Sequence, residues 1–150
     1  MPQSLARLNV HLVFSTKHRA RVLTDDIRGS LHAYIATVLN NFGCHAVLLN
    51  SVEDHMHLLF ELGRTVAVSK AVEEIKTTSS KWIKTQGPEF GTFAWQAGYA
   101  VFAVDMSSVA REREYIAGQR EHHRVETFQE EYRRFLADNS IAFDERYMWD

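Results

Sequence analysis

Two histidines one residue apart stand in the segment Asp54-His55-Met56-His57-Leu58-Leu59-Phe60. On a strand, residues two apart share a face, so His55 and His57 project together while Met56, Leu58 and Phe60 turn the other way into apolar packing. Two imidazoles so close form a bidentate seat for a metal ion; the same spacing also suits one surface histidine and one hydrogen-bonded core histidine. A second constellation is Arg111-Glu112-Arg113-Glu114-Tyr115-Ile116-Ala117-Gly118-Gln119. On a helix Tyr115 and Gln119 fall about 40° apart. With Ser108, Arg111 and His122 they make a polar face opposite Val109 and Ile116. Tyr115 there is a surface or groove residue, or a nucleophile, and the Gln119 carbonyl oxygen is a candidate third ligand for a hard cation. A third set is basic: Lys17, Arg19 and Arg21 near the start, and Lys70, Lys81 and Lys84 further on. These are solvated charges or phosphate contacts. The pair His122-His123 is expected at the surface.

The elements that must position these groups follow from hydrophobic period. Leu8 to Phe14 reads as a strand, followed by the polar and basic run from Ser15 to Arg21. Thr24 is placed to cap a helix with Asp25 and Asp26 in its first turn and an apolar stripe of Ile27, Leu31, Tyr34, Ile35, Val38 and Phe42; Gly43 stops it. Cys44 to Val52 and His55 to Glu61 are strand-like, with Glu53-Asp54 between them at tight-hairpin length. Val66 to Gln86 is helical. Val68, Val72, Ile75 and Trp82 fall within an arc of about 80°, and Lys70, Lys81 and Lys84 cluster on the opposite face. Trp95 to Asp105 reads as the last strand, Ser107 or Ser108 caps a helix through about His122, and Thr127 to Ala137 forms one more. The order β-α-β-β-α-β-α-α is the split βαβ, ferredoxin-like α+β arrangement: a four-stranded antiparallel sheet, helices on one face, and an added C-terminal helix carrying the tyrosine.

Composition bounds the alternatives. The 150 residues, 45% hydrophobic and 24% charged, suit a single domain spanning 1–150 with a sizeable core. The absence of a long apolar run and of a secretory start predicts a cytoplasmic protein with no membrane partner. Cys44, the one cysteine, excludes an internal disulfide and a cysteine zinc site and is expected as a plain buried residue. There is no Gly-rich phosphate loop, so no nucleotide cofactor is expected. The net charge of −2 hides an asymmetry: residues 121–150 carry four basic and eight acidic side chains, whereas the first 24 hold four basic ones and no acid. Trp149, near the end, is expected as a docking anchor.

Taken together, HLVFSTKHRARVL, DHMHLLF, EREYIAGQREHH and the FxxEYxxFL segment at Phe128 to Leu136 resemble one family along most of the chain. It is that of the single-tyrosine HUH transposases of small bacterial insertion sequences, with their relatives the REP-associated tyrosine transposases. The family's histidine–hydrophobe–histidine strand falls on His55, Met56 and His57, and its Tyr-x-x-x-Gln helix on Tyr115 and Gln119.

The resemblance implies that Tyr115 is the catalytic nucleophile and that His55, His57 and Gln119 bind Mg²⁺ or Mn²⁺. Neutral ligands leave an ion nearly its full charge for a scissile phosphate. Attack by Tyr115 gives a 5′-phosphotyrosine and a free 3′-hydroxyl, and the conserved ester energy permits rejoining. The partners implied are single-stranded DNA with hairpin ends and a second copy in a homodimer, the tyrosine of one subunit serving the histidines of the other. Action at the nucleoid follows. Lys17, Arg19, Arg21, Lys70, Lys81 and Lys84 are the expected DNA-binding residues. Three alternatives stay open: a domesticated REP-associated hairpin nuclease, a non-catalytic single-strand binding module with aromatic stacking platforms on its sheet, and a small metal-binding regulator using the histidine pair alone.

Overall fold

A computed structural model describes residues 2–150. Four strands, β1 (Asn9–Ser15), β2 (His45–Ser51), β3 (His55–Glu61) and β4 (Ala100–Val104), form one sheet in the order β2-β3-β1-β4. Every neighbouring pair is antiparallel. Helices α1 (Asp25–Asn41) and α2 (Val68–Lys84) make the two crossovers. Three more, α3 (Val109–Ala117), α4 (Gln119–His122) and α5 (Phe128–Asp138), follow β4. This is the expected ferredoxin-like α+β arrangement, and no described helix is long and apolar enough to cross a membrane.

Strand period sorts the side chains into two cores. Val10, Leu12 and Phe14 of β1, with Met56, Leu58 and Phe60 of β3, pack against Ile27, Leu31, Ile35 and Leu39 of α1 and Val72, Ile75 and Ile83 of α2. The intervening residues face the other way. Val13, Ala100 and Phe102 meet Phe128, Tyr132 and Leu136 of α5. β1, one of the two inner strands, is therefore buried along its whole length. The C-terminal helices thus cover the second face of the sheet, and Phe102 lies buried beneath them.

Local chemistry explains where elements end. Gly43 takes a left-handed φ of +84° that lets the chain turn from α1 into β2. Thr24 precedes α1, but its hydroxyl bonds the Asp26 carboxylate and leaves the backbone uncapped. The expected strand Trp95–Asp105 is shorter, because the chain leaves the ladder between an isolated bridge at Trp95 and the start of β4. In that gap Lys76 Nζ donates to the carbonyls of Gln96 and Gly98 at 2.7 Å each, and Gln96 Oε1 accepts from Ser15 N at 2.8 Å. The expected continuous helix through His122 is broken at Gly118, whose N–H turns back to Glu114 and Tyr115 carbonyls. Asn50 of β2 donates to the Ile116 carbonyl at 2.7 Å, satisfying an orphan acceptor at the end of α3. Thr127 caps α5, accepting from Glu130 N. Trp149 packs on Tyr132 and Phe128, at 5.5 and 6.2 Å between ring centroids, and so fastens the chain end to α5.

Candidate metal and tyrosine centre

His55 and His57 do project from one face of β3, toward α5, and both are fully buried. Each uses Nδ1 elsewhere. His55 Nδ1 is 2.7 Å from Asp54 Oδ1. His57 Nδ1 is 2.7 Å from Nε2 of His11, whose own Nδ1 lies 3.0 Å from Glu112 Oε2. A consistent assignment has Nδ1–H of His57 donating to His11 and Nδ1–H of His11 turned to the carboxylate. Both β3 histidines are then free to turn Nε2 to one point, as N–H donors to a carboxylate or as lone pairs to a cation, the arrangement by which outer partners orient metal-bound imidazoles.

That point is occupied by Glu131 of α5. Its Oε1 is 2.9 Å from His57 Nε2, 3.1 Å from His123 Nε2 and 3.4 Å from His55 Nε2. The ligand atoms of His55, His57, His123 and Glu131 all lie within 4.8 Å of one another. Bonds of about 2.1 Å to an ion imply separations of about 3.0–3.4 Å between adjacent ligands. The histidine–carboxylate distances have that size and the widest separations in the set exceed it, so the four side chains could hold a divalent cation once drawn together around it. Gln119 is also fully buried: its Oε1 is 3.3 Å from His55 Nε2 and its amide donates to Glu131 Oε2 at 3.3 Å. The break at Gly118 is what brings Gln119 inward, off the polar face it would share with Tyr115 on an unbroken helix.

Tyr115, half-buried, donates its hydroxyl proton to Glu131 Oε2 and accepts from Arg134 Nη2 at 2.7 Å. Its ring stacks on His122 at 4.3 Å and lies 6.1 Å from that of His57. One carboxylate therefore faces the histidines with one oxygen and the tyrosine with the other. Charge follows this geometry. Burial alone would lower the His55 pKa, but hydrogen bonds to Asp54 and Glu131 raise it to about 9. Burial pushes His57 down to about 3, against the pull of Glu131. Burial works to raise the Glu131 pKa, yet the surrounding histidines hold it far below the usual carboxylate range. Burial and the Glu131 charge lift Tyr115 above its ordinary value, with Arg134 opposing.

The basic residues divide. Arg21 lines a cleft of about 370 Å³ together with Asp54, Arg120, His123 and Arg124, so this cleft opens beside the histidine cluster. Arg19 lies over the Trp149 ring at 5.7 Å, and Lys17 lines the neighbouring cavity with Trp95 and Trp149. Lys70, Lys81 and Lys84 sit on α2, across the sheet from the histidines; Lys70 pairs with Glu73 at 3.3 Å.

Sequence reasoning missed Glu131, His123 and Arg134. His123 is not a surface residue of the kind expected; its ring centroid is 4.3 Å from that of His55. The available signal for Glu131 was an acid inside an apolar helical stripe, since Phe128, Tyr132 and Leu136 bury the same face of α5.

Comparison with known proteins places this geometry. The ISDra2 transposase TnpA of Deinococcus radiodurans is 23% identical over 118 residues, 75% of this chain and 84% of that protein. A crystal structure of a transposase candidate from D. radiodurans superposes with a TM-score of 0.62 at 24% identity, covering 79% of this chain and 98% of the other. A REP-associated tyrosine transposase bound to a REP hairpin gives 0.60 at 16% identity, covering 82% and 73%. The family described as IS200-like transposases matches residues 4–119, which hold the histidine strand, Tyr115 and Gln119, and the chain belongs to that family.

Proposed function

We propose that this chain is a metal-dependent DNA strand transferase that cleaves and rejoins hairpin-flanked single-stranded DNA through a 5′-phosphotyrosine on Tyr115. The observation that carries the reading is the Glu131 carboxylate bridge, which joins the Tyr115 hydroxyl to the His57 imidazole inside one chain. His55, His57, His123 and Glu131 would hold the ion, with Gln119 beside them. A divalent cation there supplies Lewis-acid charge for the scissile phosphate. The imidazole-rich set favours a transition ion over Mg²⁺, which prefers oxygen ligands.

The protein's own groups do the rest. Asp54 and the His11–Glu112 pair fix the ring tautomers, the covering helices shield the histidines from bulk water, and Glu131 Oε2 holds the Tyr115 hydroxyl in place by accepting its hydrogen bond. Arg21 borders the cleft beside the histidines, Arg19 and Lys17 lie by Trp149 next to it, and all three are proposed as phosphate contacts. The α2 lysines face the opposite side and would meet only a more distant part of the DNA. Residues 1–150 act as one catalytic unit, because α4 and α5 complete the centre beyond the family-matched segment. A second copy, though compatible with this arrangement, is not needed to bring tyrosine and histidines together.

The test is incubation with single-stranded DNA carrying flanking hairpins and a 3′-end label, with Mn²⁺, followed by denaturing electrophoresis. A 5′-phosphotyrosine leaves the label on the protein, and Tyr115→Phe removes the adduct. Cleavage with no adduct, or an adduct that persists in Tyr115→Phe, would overturn the reading.

A further inference from the structure

Arg134, one helical turn beyond Glu131 on α5, lies outside the family-matched segment and outside the expected DNA-binding set. Its Nη2 is 2.7 Å from the Tyr115 oxygen. The guanidinium lies over the Tyr115 ring at 5.6 Å and the Phe135 ring at 5.1 Å, and Glu126 grips it through Nε at 3.0 Å and Nη2 at 3.1 Å. The Tyr115 oxygen is therefore held between a donor, Arg134, and an acceptor, Glu131. The tyrosine also borders an open cleft of about 300 Å³ lined by Arg111 and Arg134 together with Glu112 and Asp138.

We propose that Arg134 is a catalytic residue of strand transfer, aiming the Tyr115 oxygen and stabilising the negative charge that gathers on it. The inference rests on the phosphotyrosine reading. As the phenolic proton is lost to water in the bordering cleft, the guanidinium, 2.7 Å from the oxygen, faces the nascent phenolate. The Oη–P bond then forms, the P–O3′ bond breaks, and the departing 3′-oxygen gains a proton, so that the proton lost by tyrosine is balanced. In rejoining, a 3′-hydroxyl attacks the phosphotyrosine, the Oη–P bond breaks, and the charge returns to the same oxygen beside the same guanidinium. A planar donor fixed by stacking and by Glu126 suits this duty in both directions.

The test is the single-turnover rate of adduct formation at saturating DNA, and the rate of rejoining from isolated adduct, in wild type, Arg134→Ala, Arg134→Lys and Glu126→Ala. Removal of one preorganised donor predicts a loss of about 100-fold for Arg134→Ala in both directions. DNA affinity should stay within about twofold, because the group acts on the reacting oxygen and not on the bound strand. Millimolar guanidinium ion should restore part of the Arg134→Ala rate, Arg134→Lys should lose about tenfold, and Glu126→Ala less than Arg134→Ala. Adduct formation in Arg134→Ala within threefold of wild type would overturn the proposal, as would a loss fully reproduced by Glu126→Ala and unrelieved by guanidinium. If Arg134→Ala does not fold, the Arg134→Lys rate decides in the same way. Absence of any wild-type adduct would instead overturn the phosphotyrosine reading beneath it.

Discussion

Alternate residues of the same two strands meet opposite environments. On one face Leu12 and Leu58 lie opposite each other and are sealed by α1 and α2; on the other, Val13 is paired with His57, which faces Glu131. The first face is closed by apolar burial alone. The second carries three imidazoles and a carboxylate out of water, an arrangement tolerable because His55, His57 and Glu131 pair with one another and with Asp54, His11 and Gln119. A strand period of two thus separates the part of β3 that stabilises the sheet from the part that does chemistry. A single residue of register slip would exchange them.

Substitutions on the two faces should fail in different ways. The largest effect is expected from His55→Ala or His57→Ala, each of which should lower cleavage by at least about 10³-fold, as EDTA should for wild type. Strand cleavage measured with Mn²⁺ in each variant checks this, and undiminished cleavage in EDTA would refute metal dependence. Leu58→Ala should act through stability, costing about 2–5 kcal/mol and lowering the melting temperature by roughly 10 °C. Its folded fraction should keep wild-type Mn²⁺ affinity in a calorimetric titration.

His11→Phe removes the group that orients His57 while keeping a ring in the same space. Mn²⁺ binding should weaken by about tenfold, with the fold retained. The smallest effect is expected across the sheet: alanine at Lys70, Lys81 and Lys84 should leave the slope of log affinity against log salt nearly unchanged. The same replacement at Lys17, Arg19 and Arg21 should flatten it by about 0.7 per lost contact on single strands. Equal slopes from both triple variants would erase this distinction between the two sides of the molecule.

The division of faces was legible in the sequence, because His-x-His amid Met56, Leu58 and Phe60 leaves little choice once β3 is a strand. Tyr115 and Gln119 were legible as candidates but their relation was not. Helical period assumes a continuous helix, and the break at Gly118 turns Gln119 into the core. Glu131 was hidden differently. It belongs to an acidic C-terminal region whose net charge reads as solvated surface, and only tertiary packing shows that this acid is neutralised by histidines from β3 and from the turn after α4. Arg134 was obscured for the same reason, since its partner Tyr115 is 19 residues away in the chain.

The claim that one chain assembles the whole centre is tested most directly by co-expressing a His57→Ala chain and a Tyr115→Phe chain under different tags. Complexes holding both, if they form, and the mixture as a whole would be assayed for covalent DNA adduct. The account predicts no adduct, because each chain lacks one half of its own centre. Recovery to roughly a quarter of the wild-type yield, as random pairing of chains with shared sites would give, would contradict it.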